Sequence, residues 1–212
     1  MKGYSLCLAA IGLCLAAGSG QAQSTNARDL AAGKFLVAGR ELSDPNFHET
    51  VVLLIEYSKE SAMGLVVNRR TRIPLSRLLE DVKEAKDRTD PVFAGGPVER
   101  SGILGLLRAH DRPDAARTVF GDVHLVTTRD LLEHTLAAGT AAKSFHLYLG
   151  YAGWGPGQLE REVMIGAWFI FRGDAASIFE KDPDTLWPRM IEQTELRIAR
   201  RSLLEARPRW AE

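Results

Sequence analysis

The sequence predicts a single α+β domain in which a mixed, mostly antiparallel sheet, curved enough to close partly into a barrel, is flanked by helices. Three observations predict it. Apolar runs of strand length recur at residues 35–38, 51–55, 103–107 and 167–171. Helical patterns fall between them irregularly, without the strand–helix alternation of a doubly wound parallel sheet. No repeat, low-complexity block or interdomain linker divides the 212 residues, a length that supports one sizeable core.

Residues 1–22 read as a secretory signal peptide outside that domain. Lys2 is followed by an apolar run over residues 4–17, and Gly20 and Ala22 place small residues before a cut after Ala22. The run is too short for a comfortable transmembrane helix, so no spanning segment is expected after cleavage. Cys7 and Cys14 both lie here, preceded by Leu6 and Leu13, which do not suit lipoprotein processing. Cleavage leaves a chain without cysteine, hence without disulfide, thiolate nucleophile or cysteine metal ligand. A periplasmic location follows. Residues 23–32 read as a flexible lead-in, 33–195 as the domain and 196–212 as a basic tail carrying Arg197, Arg200, Arg201 and Trp210.

Within the domain, residues 35–38 predict a first strand and the continuous aliphatic run 51–55 a strand buried on both faces. A short connection leads to its hairpin partner at 63–67. Leu75, Leu78, Leu79 and Val82 have the spacing of one helical face, which predicts an amphipathic helix over 75–85. Residues 91–94 predict a strand ending in Gly95, Gly96 and Pro97, and residues 110–117 a polar excursion. Residues 123–126 alternate like a half-buried strand. A capping box at Thr127 and Asp130 predicts a helix over 131–138, ended by Gly139. Towards the end, Leu186, Trp187, Met190 and Ile191 supply the apolar face of a last helix.

The most distinctive stretch is 149–163, followed by the aromatic run to Phe171. Gly150, Gly153, Gly155 and Gly157 stand close together with Pro156, and Tyr151 and Trp154 lie between them. Such glycine density indicates positive φ or close backbone approach. It predicts an aromatic glycine turn between two strands, neither regular helix nor strand, leading into a short helix opened by Gln158, Leu159 and Glu160. The turn reads either as a packing corner or as a pocket wall with Gln158 and Glu160 as polar contacts.

These residues resemble a known family. Residues 150–160 look like the signature of the YqgE/AlgH family, a bacterial group without an established biochemical activity. Further blocks match in order: residues 33–38, Asp44 to Phe47 with 50–54, residues 64–68 ending in Asn68, and Gly95 to Val98. The resemblance covers roughly 33–195. It implies a regulatory label, through an association with alginate control, and a cytoplasmic location as the alternative to export. The chain departs from the pattern at four places. Arg40 and Arg70 stand where the family tends to have proline, Gly166 where it tends to have asparagine, and residues 103–108 lack its Leu-His pair.

A search for chemistry narrows the function. Basic and acidic residues balance at 27 each, which argues against nucleic acid as a partner. The five histidines are scattered without helical metal spacing; His124 and His146 sit in predicted strands, which makes their approach to one another the one arrangement to look for, and no metal ligand set is assigned. Gly95-Gly96-Pro97 lacks the lysine and hydroxyl of a phosphate-binding loop, so no cofactor is assigned, but two glycines before proline can open backbone amides to an anion. Arg69, Arg70 and Arg72 form a small basic cluster. No nucleophile elbow occurs, and Glu160 and Glu162, two apart on a helix, point in different directions. The expectation is a non-enzymatic domain that binds a small molecule or a protein partner. Its candidate residues are Asp44, Phe47, Asn68, Gly95, Gly96, Pro97, Gly150, Tyr151, Gly153, Trp154, Gly157, Gln158 and Glu160. An intracellular regulator is the alternative. A hydrolase is the second, and it requires Asp44, His48, Asn68 and Glu160 to converge.

Overall fold

The computed structural model describes residues 23–205; the proposed signal peptide with both cysteines, and Trp210, lie outside them. Among the described residues, 11 strands join in one mixed, mostly antiparallel sheet that curls into a half-barrel. Residues 23–32 carry β1 (Gln23–Ser24) and a 3-10 turn at Ala27–Asp29. Then follow β2 (Lys34–Ala38), β3 (Val51–Tyr57), β4 (Ala62–Val66) and β5 (Arg70–Pro74). Helix α1 (Leu75–Leu78) precedes β6 (Pro91–Ala94), β7 (Val98–Arg108), β8 (Arg117–Phe120) and β9 (Val123–Val126). Helix α2 (Arg129–Ala137), β10 (Phe145–Trp154), α3 (Gln158–Met164), β11 (Trp168–Arg172), α4 (Ala175–Ile178) and α5 (Leu186–Glu205) complete the chain.

Strand β10 holds the sheet together because it changes partners along its length. Its first half runs antiparallel to β7, with Phe145 opposite Leu107 and Leu149 opposite Ile103. On its other edge Tyr148 and Leu149 pair in parallel with Phe93 and Ala94 of β6. Beyond a bulge between Leu149 and Tyr151, residues Ala152, Gly153 and Trp154 pair with Gly64, Met63 and Ala62 of β4. The β1-β11-β2-β3-β4 half thus meets the β7-β9-β8 half through one strand.

The same strand separates two cores. Tyr148 and Ala152 face a cluster that contains Phe35, Leu53, Leu65, Trp168 and the α5 face of Leu186, Trp187, Met190 and Ile191. Phe145 and Leu147 face a smaller cluster with Leu75, Leu79 and Val82 and with Leu131, Leu132 and Leu136 of α2. The alternation is the period-two pattern of a strand covered on both faces.

Four expectations change. The region around Tyr151 and Trp154 is not an irregular turn but part of β10, which runs on through a register shift whose extra residues lie on β7, since Leu149 opposes Ile103 and Tyr151 opposes Val98. The helix expected over 75–85 stops at Leu78 and resumes only as a 3-10 turn at Lys83–Ala85. Its first N–H groups turn to the returning chain, Leu75 to the Asp90 carbonyl and Ser76 to that of Arg88, while Leu75, Leu79 and Val82 still reach the core. Strand β9, flanked by β7 and the unexpected β8, is buried at all four positions rather than half-buried, because Val123 and Leu125 enter one core and Val126 on the opposite face enters the other. The α2 cap is Thr128, whose hydroxyl accepts from Leu131 N–H, rather than the Thr127–Asp130 box.

The partner switch depends on absent side chains. A Cβ on Gly95 would lie 2.3 Å from the Gly150 carbonyl oxygen, and one on Gly96 would lie 2.1 Å from the Tyr151 carbonyl carbon. Gly150 itself has φ +69°, where an L side chain is strained. Gly95→Ala is therefore expected to destabilise the protein by about 2–3 kcal/mol through overpacking against backbone that cannot yield. Gly155→Ala, where nothing lies within 4 Å of the added methyl, should change stability by under about 0.5 kcal/mol. Urea unfolding of both variants checks this.

His146 supplies a pH dependence. Its ring stacks on Phe93 at 4.5 Å and lies 5.0 Å from Phe179, and its Nδ1 has no hydrogen-bond partner. Burial pushes its pKa down from 6.5 to about 4, against a smaller upward pull from Asp90. The unfolded chain therefore takes up a proton that the folded chain refuses. Stability from this group is complete above the unfolded value of 6.5 and falls as pH drops towards 4. Between pH 7 and 5 the loss should be roughly 2 kcal/mol. His146→Phe should remove that component, read as a flatter pH dependence of the urea midpoint.

Candidate functional site

The signature helix is fastened by a carboxylate that two indoles share. Gly157, at φ +66°, starts α3, and Gln158 closes the turn by accepting from Gly155 N–H at 3.1 Å and donating to Glu162 Oε1 at 2.9 Å. Glu162 Oε2 accepts from Trp154 Nε1 at 2.9 Å and from Trp168 Nε1 at 2.8 Å. The two indoles meet edge to face at 6.0 Å, and Phe47 stacks on Trp154 at 6.1 Å. Glu160 points elsewhere, accepting from the Tyr57 hydroxyl at 2.7 Å. Partial burial and that carboxylate push the Tyr57 pKa up to about 12. Tyr151 pairs with Val98, and its ring lies 3.4 Å from where a Gly153 Cβ would stand. Gln158, Glu160, Trp154, Gly153 and Gly157 thus build a packing corner. Glu162 and Trp168, which tie it, escaped the sequence reading because their partners lie across a turn and on another strand.

The loop before β3 is ordered by a second set. Asp44 caps its own turn through Asn46 N–H at 2.8 Å. Asn68, buried two residues past β4, accepts from Val51 N–H at 2.8 Å and donates to the Glu49 carbonyl at 3.0 Å. The next residue, Arg69, crosses to the same loop and donates to the carbonyls of Asn46 at 2.8 Å and His48 at 3.0 Å. Burial lowers the Arg69 pKa from the ordinary arginine value, and at physiological pH the group stays charged.

These pieces meet at a cleft of about 270 Å³. Asn46, Arg69, Thr71, Gly96, Pro97 and Arg100 line it. Val66, Ala94 and Leu149 make the apolar floor. Gly95 is not in the lining. Its N–H donates to Leu149 at 2.8 Å and its carbonyl accepts from Val66 at 2.9 Å, so it fixes two floor residues from behind. Of the expected residues the cleft contains only Gly96 and Pro97; Asp44, Asn68, Gly95 and Gly150 support it, and the Trp154–Glu160 group does not line it. Arg100, Asn46 and Thr71 were missed, since nothing local marks an arginine shortly past a glycine turn as sharing a cleft with Arg69.

Other candidate chemistry stays apart. Asp44, Asn68 and Glu160 each bond to a different partner, and exposed His48 has only Glu49 beside it at 3.6 Å, so the convergence a hydrolase needs is not formed. His124 and His146 do not approach: β7 runs between their strands, and they oppose Leu107 and Leu106, whose side chains enter different cores. His124 is held by Thr118 at 3.1 Å and the Ala109 carbonyl at 3.0 Å. A second cleft, of about 280 Å³, lies between β7 and α2 and contains Ser101, Ile103 and Arg129. Arg129 is neutralised there by Asp81 at 2.7 Å and Glu133 at 2.6 Å.

A family model described as AlgH-like matches residues 35–199. The chain belongs to the AlgH-like family. It is 34% identical to a UPF0301 protein of Streptomyces avermitilis over 79% of this chain and 88% of the relative. It is 38% identical to one of Methylococcus capsulatus over 75% and 86%. The solution structure of the AlgH protein from Pseudomonas aeruginosa is similar at TM-score 0.60 and 31% identity, covering 84% of this chain and 94% of that one. A Corynebacterium diphtheriae protein shares the fold at TM-score 0.63 and 21% identity over 74% and 84%. The blocks that carried the motif resemblance are those that form the cleft and the corner behind it. At the two places where the motif pattern favours proline, this AlgH-like chain uses arginine to secure α5. Arg40 bonds Glu195 and lies over the Trp187 ring at 5.5 Å. Arg70 reaches Asp184 at 2.5 Å and Asp182 at 3.4 Å.

Proposed function

We propose that this AlgH-like protein is a ligand-binding domain and that the cleft beside Arg69 receives a small molecule. One observation carries the reading. The cleft gathers residues from four separate sequence blocks: Asn46 from the loop before β3, Arg69 after Asn68, Gly96 and Pro97 after β6, and Leu149 at the entry to the signature. An apolar floor with a few fixed polar groups around it is the usual composition of a binding site. The candidate acid and base groups Asp44, Asn68 and Glu160 are engaged by neighbouring backbone and side chains, which favours binding over turnover.

A soluble fragment library screened by amide-resonance shifts tests this. Hits are expected to move the signals of Val66, Ala94, Gly96 and Leu149 together. Hits confined to the second cleft around Ile103, or none at millimolar ligand, would reject the reading.

The apolar run in residues 1–22 supports export of the domain to the periplasm as part of this proposal. No helix among the described residues is long and apolar enough to cross a membrane. Fractionation of the native protein and sequencing of its N-terminus should find a chain beginning near Gln23 in the periplasmic fraction; an uncut chain in the cytoplasm would instead favour the intracellular regulator.

A further inference from the structure

The cleft carries two positive charges and no negative one. Arg69 and Arg100 both line it, and none of the other lining residues is acidic. Several arginines elsewhere are paired: Arg88 meets Asp90 at 2.5 Å, Arg108 meets Asp122 at 2.7 Å and Arg189 meets Glu180 at 2.9 Å. Among the described residues neither Arg69 nor Arg100 has a carboxylate within ion-pair distance. Arg69 is the more demanding case, because it is partly buried and holds only the two carbonyls of Asn46 and His48. Carbonyl dipoles satisfy N–H groups without cancelling the charge, so a partly desolvated cation there retains an unmet preference for an anion.

The two arginines are also fixed in different ways. Arg69 is anchored by its two bonds to the loop before β3. Arg100 is placed by backbone, since its Cα lies 3.2 Å from where a Gly150 Cβ would stand, beside the β10 bulge. Its side chain is exposed and engages nothing else. One arginine is thus pre-positioned and the other can close on what it finds, across a floor made by Val66, Ala94 and Leu149.

We infer that the cleft binds a small organic anion, with its carboxylate or phosphate between Arg69 and Arg100 and its short apolar part against Val66, Ala94 and Leu149. The inference rests on the ligand-binding reading above and gives that site its ligand class. At about 270 Å³ the cleft is smaller than the range that accepts drug-sized molecules, which points to an acid of a few carbons rather than a nucleotide. Forked N–H groups of two guanidiniums suit carboxylate and phosphate oxygens equally, so charge selects the head group and the floor selects the tail.

The test uses residues 23–212 with two series of probes, acetate, butyrate and hexanoate against inorganic phosphate and butyl phosphate, and with butyramide as the neutral control. Titrations are followed by calorimetry, by backbone amide signals and by the Nε signals of the arginines. Butyrate or butyl phosphate should bind at least tenfold more tightly than butyramide, shift Arg69, Arg100 and Leu149 together, and weaken as salt rises. Each added methylene up to the length of the floor should tighten binding about three- to fourfold. The series that binds more tightly identifies carboxylate or phosphate as the head group. Arg100→Gln, at an exposed side chain without an ion pair, should fold normally and lose at least tenfold in affinity. Arg69→Lys keeps the charge but loses the fork and should show an intermediate loss. If butyramide binds in the cleft as tightly as butyrate, the anion inference falls while the ligand-binding reading stands. If the anions shift only residues outside the cleft, or Arg100→Gln binds them unchanged, the anion inference falls. If neither anions nor the neutral library reach Leu149, both readings fall.

Discussion

The structure depends on a contact between backbones. Gly95 and Gly96 cross Gly150 and Tyr151 so closely that no Cβ fits between them. That crossing lets β10 pair with β6 and β7 before the bulge and with β4 after it. Two sheets that would otherwise have separate edges become one, and each gains a covered edge where exposed strand would invite association. A side chain at any of these positions would force the chains apart, lengthen the hydrogen bonds and separate the halves.

The cleft is a consequence of the same crossing. Bringing Gly96 and Pro97 against Tyr151 sets Arg100 beside the bulge, while the Gly95 amide and carbonyl hold Leu149 and Val66 as a floor. The loop before β3 closes the other side because Asn68 and Arg69 both bond its carbonyls. The aromatic corner of Phe47, Trp154, Trp168 and Glu162 lies behind that loop and stiffens it from the core side. The loop is therefore gripped at two points, by aromatic packing on one face and by Arg69 on the other.

Arginine takes two roles in this chain. Arg40 and Arg70 pair with acidic residues and fasten α5 and its approach, contributions that solvent screening keeps modest. Arg69 and Arg100 are left facing a cavity without such partners. Position in the sequence does not distinguish them, since Arg69 and Arg70 are neighbours, one bonded to two carbonyls beside the cleft and the other to two carboxylates at the approach to α5.

The sequence by itself determined the fold class, the family and most strands. Aliphatic runs such as 51–55 announce burial through composition, and glycine clusters announce unusual backbone wherever they fall. It also determined which residues of 75–85 enter the core, since Leu75, Leu79 and Val82 are buried even though the helix expected there breaks. Tertiary structure decided what the glycines are for. Gly150 reads locally as a turn, and only the pairing of β10 with β6 and β7 before it and with β4 after it shows it to lie inside one long strand. It also decided the site: Glu160 looked available until Tyr57 met it, and Glu162 looked unremarkable until two indoles did. Arg100 and Arg69 come from segments 31 residues apart, and pattern reading has no access to that distance. Hydrophobic periodicity is a local property that survives in sequence, whereas the pairing of charges and the closing of a cleft are set by contacts between segments that only folding brings together.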